Sequence, residues 1–257
     1  MWEKEIQVAR QAAKEAGIVL KRLFGQVRHI EKKGEIDLVT EADLQSEKII
    51  LDIIARQFPQ DSILAEEAGE FNHRSDRLWI VDPLDGTTNF AHRFPVFAIS
   101  IALKIEDELV LGLANSPCTN EHFEAVKGKG ASLNKKPIRV SQTKTLEDSL
   151  LVTGFPYDVH ENPHGVIEMF QKMIVRAQGI RRPGSAVIDL CYVAAGIFDG
   201  FWEERLKPWD TAAGAIIVSE AGGKVTTYKG NPFAPHLKSI VAANPHIHDA
   251  MLEVLNT

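Results

Sequence analysis

In the segment Trp79-Ile80-Val81-Asp82-Pro83-Leu84-Asp85-Gly86-Thr87-Thr88-Asn89-Phe90, a short apolar run leads straight into two carboxylates and a glycine-hydroxyl turn. Trp79 to Val81 reads as the end of a buried strand, and Pro83 stiffens the exit so that Asp82 and Asp85 can converge on one point. Paired hard oxygens suit Mg²⁺. Gly86 lets the backbone approach a ligand closely. Thr87, Thr88 and Asn89 are cap-type residues that would open a helix with its free N–H groups toward an anion. The chemistry implied is that of a cation and a phosphate meeting in one loop. Taken alone, Asp-x-x-Asp-Gly reads more readily as a solvated turn, so the rest of the chain has to decide.

Three further acidic segments share that setting. Asp37-Leu38-Val39-Thr40 is strand-like and runs into Thr40-Glu41-Ala42-Asp43, a capping-box start to a helix. Ile63-Leu64-Ala65 is an apolar strand ending in Glu66-Glu67, and Lys207-Pro208-Trp209-Asp210 places a carboxylate at the N-terminus of an almost wholly apolar helix, Thr211 to Ala221. Each alone is an ordinary cap or strand-end carboxylate. Together they are a set of hard ligands delivered from separate elements.

These residues carry a family resemblance. The Asp-Pro-Leu-Asp-Gly-Thr-Thr-Asn-Phe block at 82–90 and the Trp-Asp-Thr-Ala-Ala-Gly block at 209–214, with Glu220-Ala221-Gly222-Gly223 after it, are highly specific. With the Asp37 to Asp43 segment, Gly184-Ser185-Ala186 and Phe201-Trp202-Glu203 in the same order, the chain resembles the inositol monophosphatases of the Mg²⁺-dependent, lithium-sensitive phosphatase superfamily, nearly end to end. It departs from the pattern at Ala65, where glycine is usual, and at Val187-Ile188, where alanine follows. The resemblance implies an α+β fold of the layered αβαβα kind, and hydrolysis of myo-inositol 1-phosphate by metal-activated water. It implies two or three Mg²⁺ ions: Glu66, Asp82 and the Leu84 carbonyl on the first, and Asp82, Asp85 and Asp210 on the second. Water activation falls to Thr87 supported by Asp43, with Glu67 as an outer acid. Asp85, Gly86, Thr87, Thr88, Gly184, Ser185, Ala186 and Glu203 would line the substrate pocket, Glu203 accepting hydrogen bonds from polyol hydroxyls. For Glu67 and Asp37 capping or strand-end solvation is an equal reading, Ser185 could be only an N-cap, and Glu203 or Glu204 could pair with Arg205 at the surface. Fructose-1,6-bisphosphatase or another sugar phosphatase activity shares the metal blocks. A mainly regulatory protein-binding role is a further alternative.

The elements that must position these groups alternate along the chain. Helical periodicity covers Trp2 to Phe24 and Ala42 to Phe58. Strands are expected at 77–81, 97–104, 109–114 and 122–126 in an antiparallel sheet, with Glu106-Asp107-Glu108 as a hairpin turn. Gly128-Lys129-Gly130-Ala131 lacks the helix and spacing of a nucleotide loop and reads as a turn. One domain of 257 residues is expected, with a seam between halves near 135–148. Beyond it come a strand at 149–154, helices at 165–177 and from Ser185 to about Ala195, a strand at 197–203, the Thr211 helix, strands at 224–228 and 239–243, and a terminal helix. Hydrophobic content of 44% and charged content of 25% are those of a globular protein. With 29 basic against 35 acidic residues the net charge is −6, which disfavours nucleic acid and anionic membranes as partners. The expected partner is a small phosphorylated polyol, and the resemblance implies a homodimer. A charged amphipathic start and the lack of a long apolar run predict a cytoplasmic protein. Cys118 and Cys191 are expected as buried free thiols, and the histidines, His246 and His248 included, as surface residues.

Overall fold

A computed structural model describes residues 2–26, 30–32, 38–71, 73, 75–163 and 165–257. In chain order the elements open with α1 (Glu3–Leu23), β1 (Ile30–Lys32), β2 (Leu38–Thr40), α2 (Glu41–Gln57), β3 (Ser62–Ala65), β4 (Gly69–Phe71), β5 (Arg77–Asp85) and α3 (Thr87–Ala91). Then follow β6 (Ala98–Ile105), β7 (Glu108–Ser116), β8 (Glu121–Val126), β9 (Ala131–Leu133), β10 (Lys136–Ile138), β11 (Leu150–Thr153), α4 (Val166–Ile174) and β12 (Gly179–Arg181). The chain closes with α5 (Ala186–Ala194), β13 (Gly200–Glu204), α6 (Pro208–Glu220), β14 (Lys224–Thr226), β15 (Ser239–Ala243) and α7 (His248–Leu255). An eight-stranded sheet runs β10-β9-β8-β7-β6-β5-β3-β4, a five-stranded sheet runs β12-β11-β13-β15-β14, and β1 pairs with β2.

Period-two alternation explains why both sheets are covered on both faces. In the larger sheet Trp79, Val81, Ile99, Ile101 and Leu103 pack with Ala9, Ala12, Ala13 and Ala16 of α1 and Ile50 and Ile54 of α2. Ile80, Ala98 and Ala102 turn the other way, into a core shared with α5 and α6. In the smaller sheet Phe201, Ile240 and Ala242 face that same central core, while Trp202, Val241 and Ala243 face Met173 of α4 and Met251 of α7. The layers are therefore helix, sheet, helix, sheet, helix, the expected αβαβα order. α6 is apolar nearly all round because it lies between the two sheets, with Thr211 to Val218 all buried.

The four strands expected to be antiparallel, β5 to β8, are so, but both sheets are mixed: β3 runs parallel to β5, and in the smaller sheet β11 runs parallel to both β12 and β13. Helical crossovers allow this, α5 joining β12 to β13 across the central layer. The 135–148 stretch links the sheets, holding β10 of the larger and leading to β11 of the smaller. Gly128 and Gly130 lie in the β8–β9 turn, their N–H groups donating to the Glu220 carboxylate. Cys191 is buried, Cys118 is only partly so, and both are free. His248 corrects the surface reading. It is 2% exposed, with Nε2 2.9 Å from Thr226 Oγ1, because the first turn of α7 closes over β14.

Candidate metal and phosphate site

Asp82 and Asp85 do not follow a strand that ends at Val81. β5 continues to Asp85, and its pairing with β6 slips between Asp82↔Ser100 and Asp85↔Ala98. Pro83, with no N–H for the ladder, sits in that irregularity, and such a bulge re-aims neighbouring side chains. The Leu84 N–H then donates to Asp82 Oδ1 at 2.9 Å. Across the pocket, α6 begins three residues earlier than expected, with Pro208 at its first position. Asp210 is therefore a first-turn residue whose Oδ2 accepts the Lys207 N–H at 2.6 Å. Asp82, Asp85 and Asp210 each offer an oxygen within 4.8 Å of the others.

The hydroxyl turn is built differently from its reading as a capped helix start. Gly86 takes the N-cap position with φ 95°, a left-handed conformation, and a Cβ there would come within 3.0 Å of the Val96 carbonyl. Thr87, freed from capping, lies within 2.9 Å of Asp43 Oδ1 and 3.0 Å of the Leu84 carbonyl through its hydroxyl. Asp43, fully buried, accepts the Thr40 N–H and hydroxyl on its other oxygen, at 2.8 and 2.6 Å. Asn89 ties this turn to the Gly184 segment, donating to the Val96 and Pro183 carbonyls.

A cavity of about 450 Å³ joins these groups, lined by Glu66, Asp82, Leu84, Asp85, Gly86, Thr87, Thr88, Gly184, Ser185, Ala186, Glu203 and Asp210. Every residue expected to hold metal or substrate therefore reaches one pocket. Asp43 lies behind Thr87 and Glu67 behind Glu66, its N–H donating to Glu47 Oε2 at 2.9 Å. Asp37 falls outside the described residues. Ser185 precedes α5, yet its hydroxyl makes no cap bond. It donates to Asp85 Oδ2 at 2.7 Å, beside the Val187 N–H at the same distance. Glu203 is buried in the wall, while Arg205 pairs with Glu204 and Asp158. A larger groove of about 870 Å³, lined by Arg10, Lys129, Arg139 and Glu220 among others, holds no comparable cluster among the described residues.

Sequence reasoning missed three wall residues. Gly154 lets Glu203 in, since a Cβ there would stand 2.3 Å from Glu203 Oε2. Arg182 lines the same wall. Asp189, 1% exposed, leaves its Oδ1 without a hydrogen-bond partner. Its spacing of four from Ser185 on a helix was the available signal.

The electrostatics are those of carboxylates buried together. Burial above all, then Glu66, Asp85 and Asp210, pushes Asp82 well above the carboxylate range. Burial and then Asp85 do the same to Asp210, and burial raises Asp85 against the opposing pull of Ser185 and the α5 backbone. Asp43 is pushed up to about 6 by burial. Glu203 rises to about 8 by burial, with Arg182 opposing and Asp85 adding. Several buried carboxylates on hard-oxygen geometry fit Mg²⁺, because only a cation makes their joint ionisation favourable.

Fold and pocket together define a layered α+β protein with an acidic pocket of about 450 Å³. The chain belongs to the inositol monophosphatase family, whose description matches residues 1–257. It is 45% identical over 252 residues to an inositol-1-monophosphatase of Synechocystis, covering 97% of this chain and 88% of that one. It is 40% identical over 250 residues to the Nus factor SuhB of Escherichia coli, covering 96% and 94%. The structure of the extragenic suppressor protein suhB from Bartonella henselae superposes with a TM-score of 0.94 at 40% identity, covering 99% of each chain. Family membership supports phosphatase activity and metal dependence.

Proposed function

We propose that this protein is a Mg²⁺-dependent phosphomonoesterase that converts myo-inositol 1-phosphate to inositol and phosphate. The observation that carries the reading is the convergence of Asp82, Asp85 and Asp210 within 4.8 Å in a cavity that Thr87 and Glu203 also line. Glu66, Asp82 and the Leu84 carbonyl would hold one ion, and Asp82, Asp85 and Asp210 a second. A third during turnover would use the same pocket. Bound there, the ions supply charge for the phosphate and a water of lowered pKa.

The chain's own residues do the rest. Thr87 Oγ, hydrogen-bonded toward Asp43 Oδ1, takes a proton from the attacking water as its own passes to that carboxylate, whose pKa of about 6 suits a base near neutrality. Gly86, Thr88 and the Gly184–Ala186 segment orient the phosphate and its ester carbon. Glu203 reads the polyol. Burial favours its neutral form in the metal-free pocket, and cations beside Asp85 would draw it back to the carboxylate that accepts hydrogen bonds from hydroxyls. Asp85 is thereby both ligand and organiser, since its Oδ2 also holds the start of α5. Glu67 is the outer acid, and its backbone N–H also ties its turn to Glu47.

We further read the protein as a cytoplasmic homodimer. No described helix is long and apolar enough to cross a membrane, and α4 with its C-cap leaves Ile167, Ile174 and Val175 exposed. The name Nus factor on the Escherichia coli relative favours a second reading, in which the chain acts through a macromolecular partner with the phosphatase site secondary. Phosphate release across inositol monophosphates, fructose 1,6-bisphosphate, histidinol phosphate and nucleotide bisphosphates, with Mg²⁺ and with excess chelator, tests both. Inositol 1-phosphate should give the highest kcat/KM, with activity lost reversibly on chelation. Turnover that survives chelation overturns the metal reading, and no turnover on any substrate favours the second.

A further inference from the structure

One face of α2 reaches under the whole site. Asp43, Ser46 and Glu47, spaced three and four residues apart, form one helical stripe, and their exposures are 0%, 0% and 5%. Asp43 supports Thr87. The other two have no place in the reaction above, yet both end on the backbone of the ligand loops. Ser46 Oγ donates to the Pro83 carbonyl at 2.8 Å, between the proposed ligands Asp82 and Leu84. Glu47 Oε2 accepts the N–H of Glu67, the residue after Glu66, at 2.9 Å. The two loops also meet directly, Glu66 N–H donating to the Val81 carbonyl at 3.2 Å.

We infer that Ser46 and Glu47 are positioning residues for the first cation: α2, which supplies no ligand, sets the separation of the Glu66 carboxylate from Asp82 and the Leu84 carbonyl. The inference rests on the metal reading proposed above. Its physical reason lies at the bulge. Where β5 slips against β6, the peptide after Pro83 is no longer oriented by the ladder, and a hydroxyl from a rigid helix restores a fixed plane for the carbonyl next to it. Glu47 does the same for the 66–67 peptide. Burying a carboxylate there is unfavourable unless hydrogen bonding to it is exploited.

The test is Mg²⁺ titration of the full-length protein by calorimetry, with the melting temperature read without and with Mg²⁺. Supporting groups behind metal ligands typically change affinity about 10- to 100-fold, so Ser46→Ala and Glu47→Ala should each raise the Mg²⁺ Kd by at least about tenfold. Glu47→Gln keeps an acceptor oxygen for the Glu67 N–H and should restore Kd to near wild type. At saturating Mg²⁺, kcat on inositol 1-phosphate should change far less than the Mg²⁺ requirement. A merely structural role would lower the metal-free melting temperature and leave Kd unchanged, and that result overturns the inference. Should Glu47→Ala fail to fold, Ser46→Ala, which removes one hydroxyl, decides alone. Failure of the wild type to bind Mg²⁺ would instead sink the metal reading.

Discussion

In the proposed mechanism, Asp85 and Glu203 separate the chemistry from recognition at the level of single side chains. Asp85→Asn keeps the shape and the acceptor for Ser185 and Val187 but removes a charge from a buried acidic cluster. It should lower kcat on every phosphate ester by orders of magnitude while raising the melting temperature of the metal-free protein, as carboxylate repulsion is relieved. Near-normal kinetics at saturating Mg²⁺ would return Asp85 to a role in holding α5. Glu203→Gln should act on one substrate class only. Loss of a charged acceptor for a substrate hydroxyl costs about 1.5 to 3 kcal/mol, roughly ten- to a hundredfold, so kcat/KM should fall by that factor on inositol 1-phosphate and much less on an aryl phosphate. Equal losses on both would show that Glu203 does not read the polyol.

At the scale of elements, the proposed mechanism has the start of α2 couple stability to catalysis. Thr40 Oγ1 accepts the Ala42 N–H at 3.1 Å and donates to Asp43 Oδ2, so one residue caps the helix and holds the carboxylate that supports Thr87. Thr40→Ala should destabilise the fold by about 1 kcal/mol in a denaturant titration, the usual loss for an N-cap. It should also lower kcat, because Asp43 is then less firmly oriented. A stability loss with unchanged kcat would mean that the backbone N–H alone holds Asp43. Both the cap and the residues behind it were legible, since Thr-Glu-Ala-Asp is a local pattern. The bulge in β5 was not, because a strand's register is decided by its partner β6.

For the whole molecule we propose one cooperative domain, with a central core made by both sheets and by α5 and α6. Thermal unfolding should show a single transition that Mg²⁺ raises, by about 2.7 kcal/mol at a hundred times its Kd. Two transitions would restore the 135–148 seam as a domain boundary. Stability without metal should depend on pH with a definite sign. Asp43 and Glu203 have folded pKa values raised to about 6 and about 8, so between roughly pH 4 and 8 the folded state binds more protons than the unfolded. Metal-free stability should therefore be greatest at the acid end of that window and fall as pH rises. Added Mg²⁺, which favours the ionised cluster, should flatten or reverse the slope, and identical slopes with and without Mg²⁺ would contradict it. Lithium should inhibit turnover, the family resemblance implying a second cation site that a small hard ion can enter.

The sequence by itself determined the acidic and Gly-Thr-Thr blocks of the candidate site, the helix starts and the layered class, because hard carboxylates beside Gly-Thr-Thr, cap residues and hydrophobic periods are local patterns of residue type. It also contained Asp189, Arg182, Gly154 and the stripe of Ser46 and Glu47, but nothing local marked them as parts of a site. Their significance comes from what faces them: the pocket for Asp189, the carboxylate of Glu203 for Gly154, two distant backbone groups for α2. The buried setting of His248, the parallel strands and the true role of the Ser185 hydroxyl were likewise decided by partners far along the chain. Local patterns specify which groups a segment can offer, whereas only packing decides which of them are desolvated together, and it is shared desolvation that turns scattered carboxylates into a site.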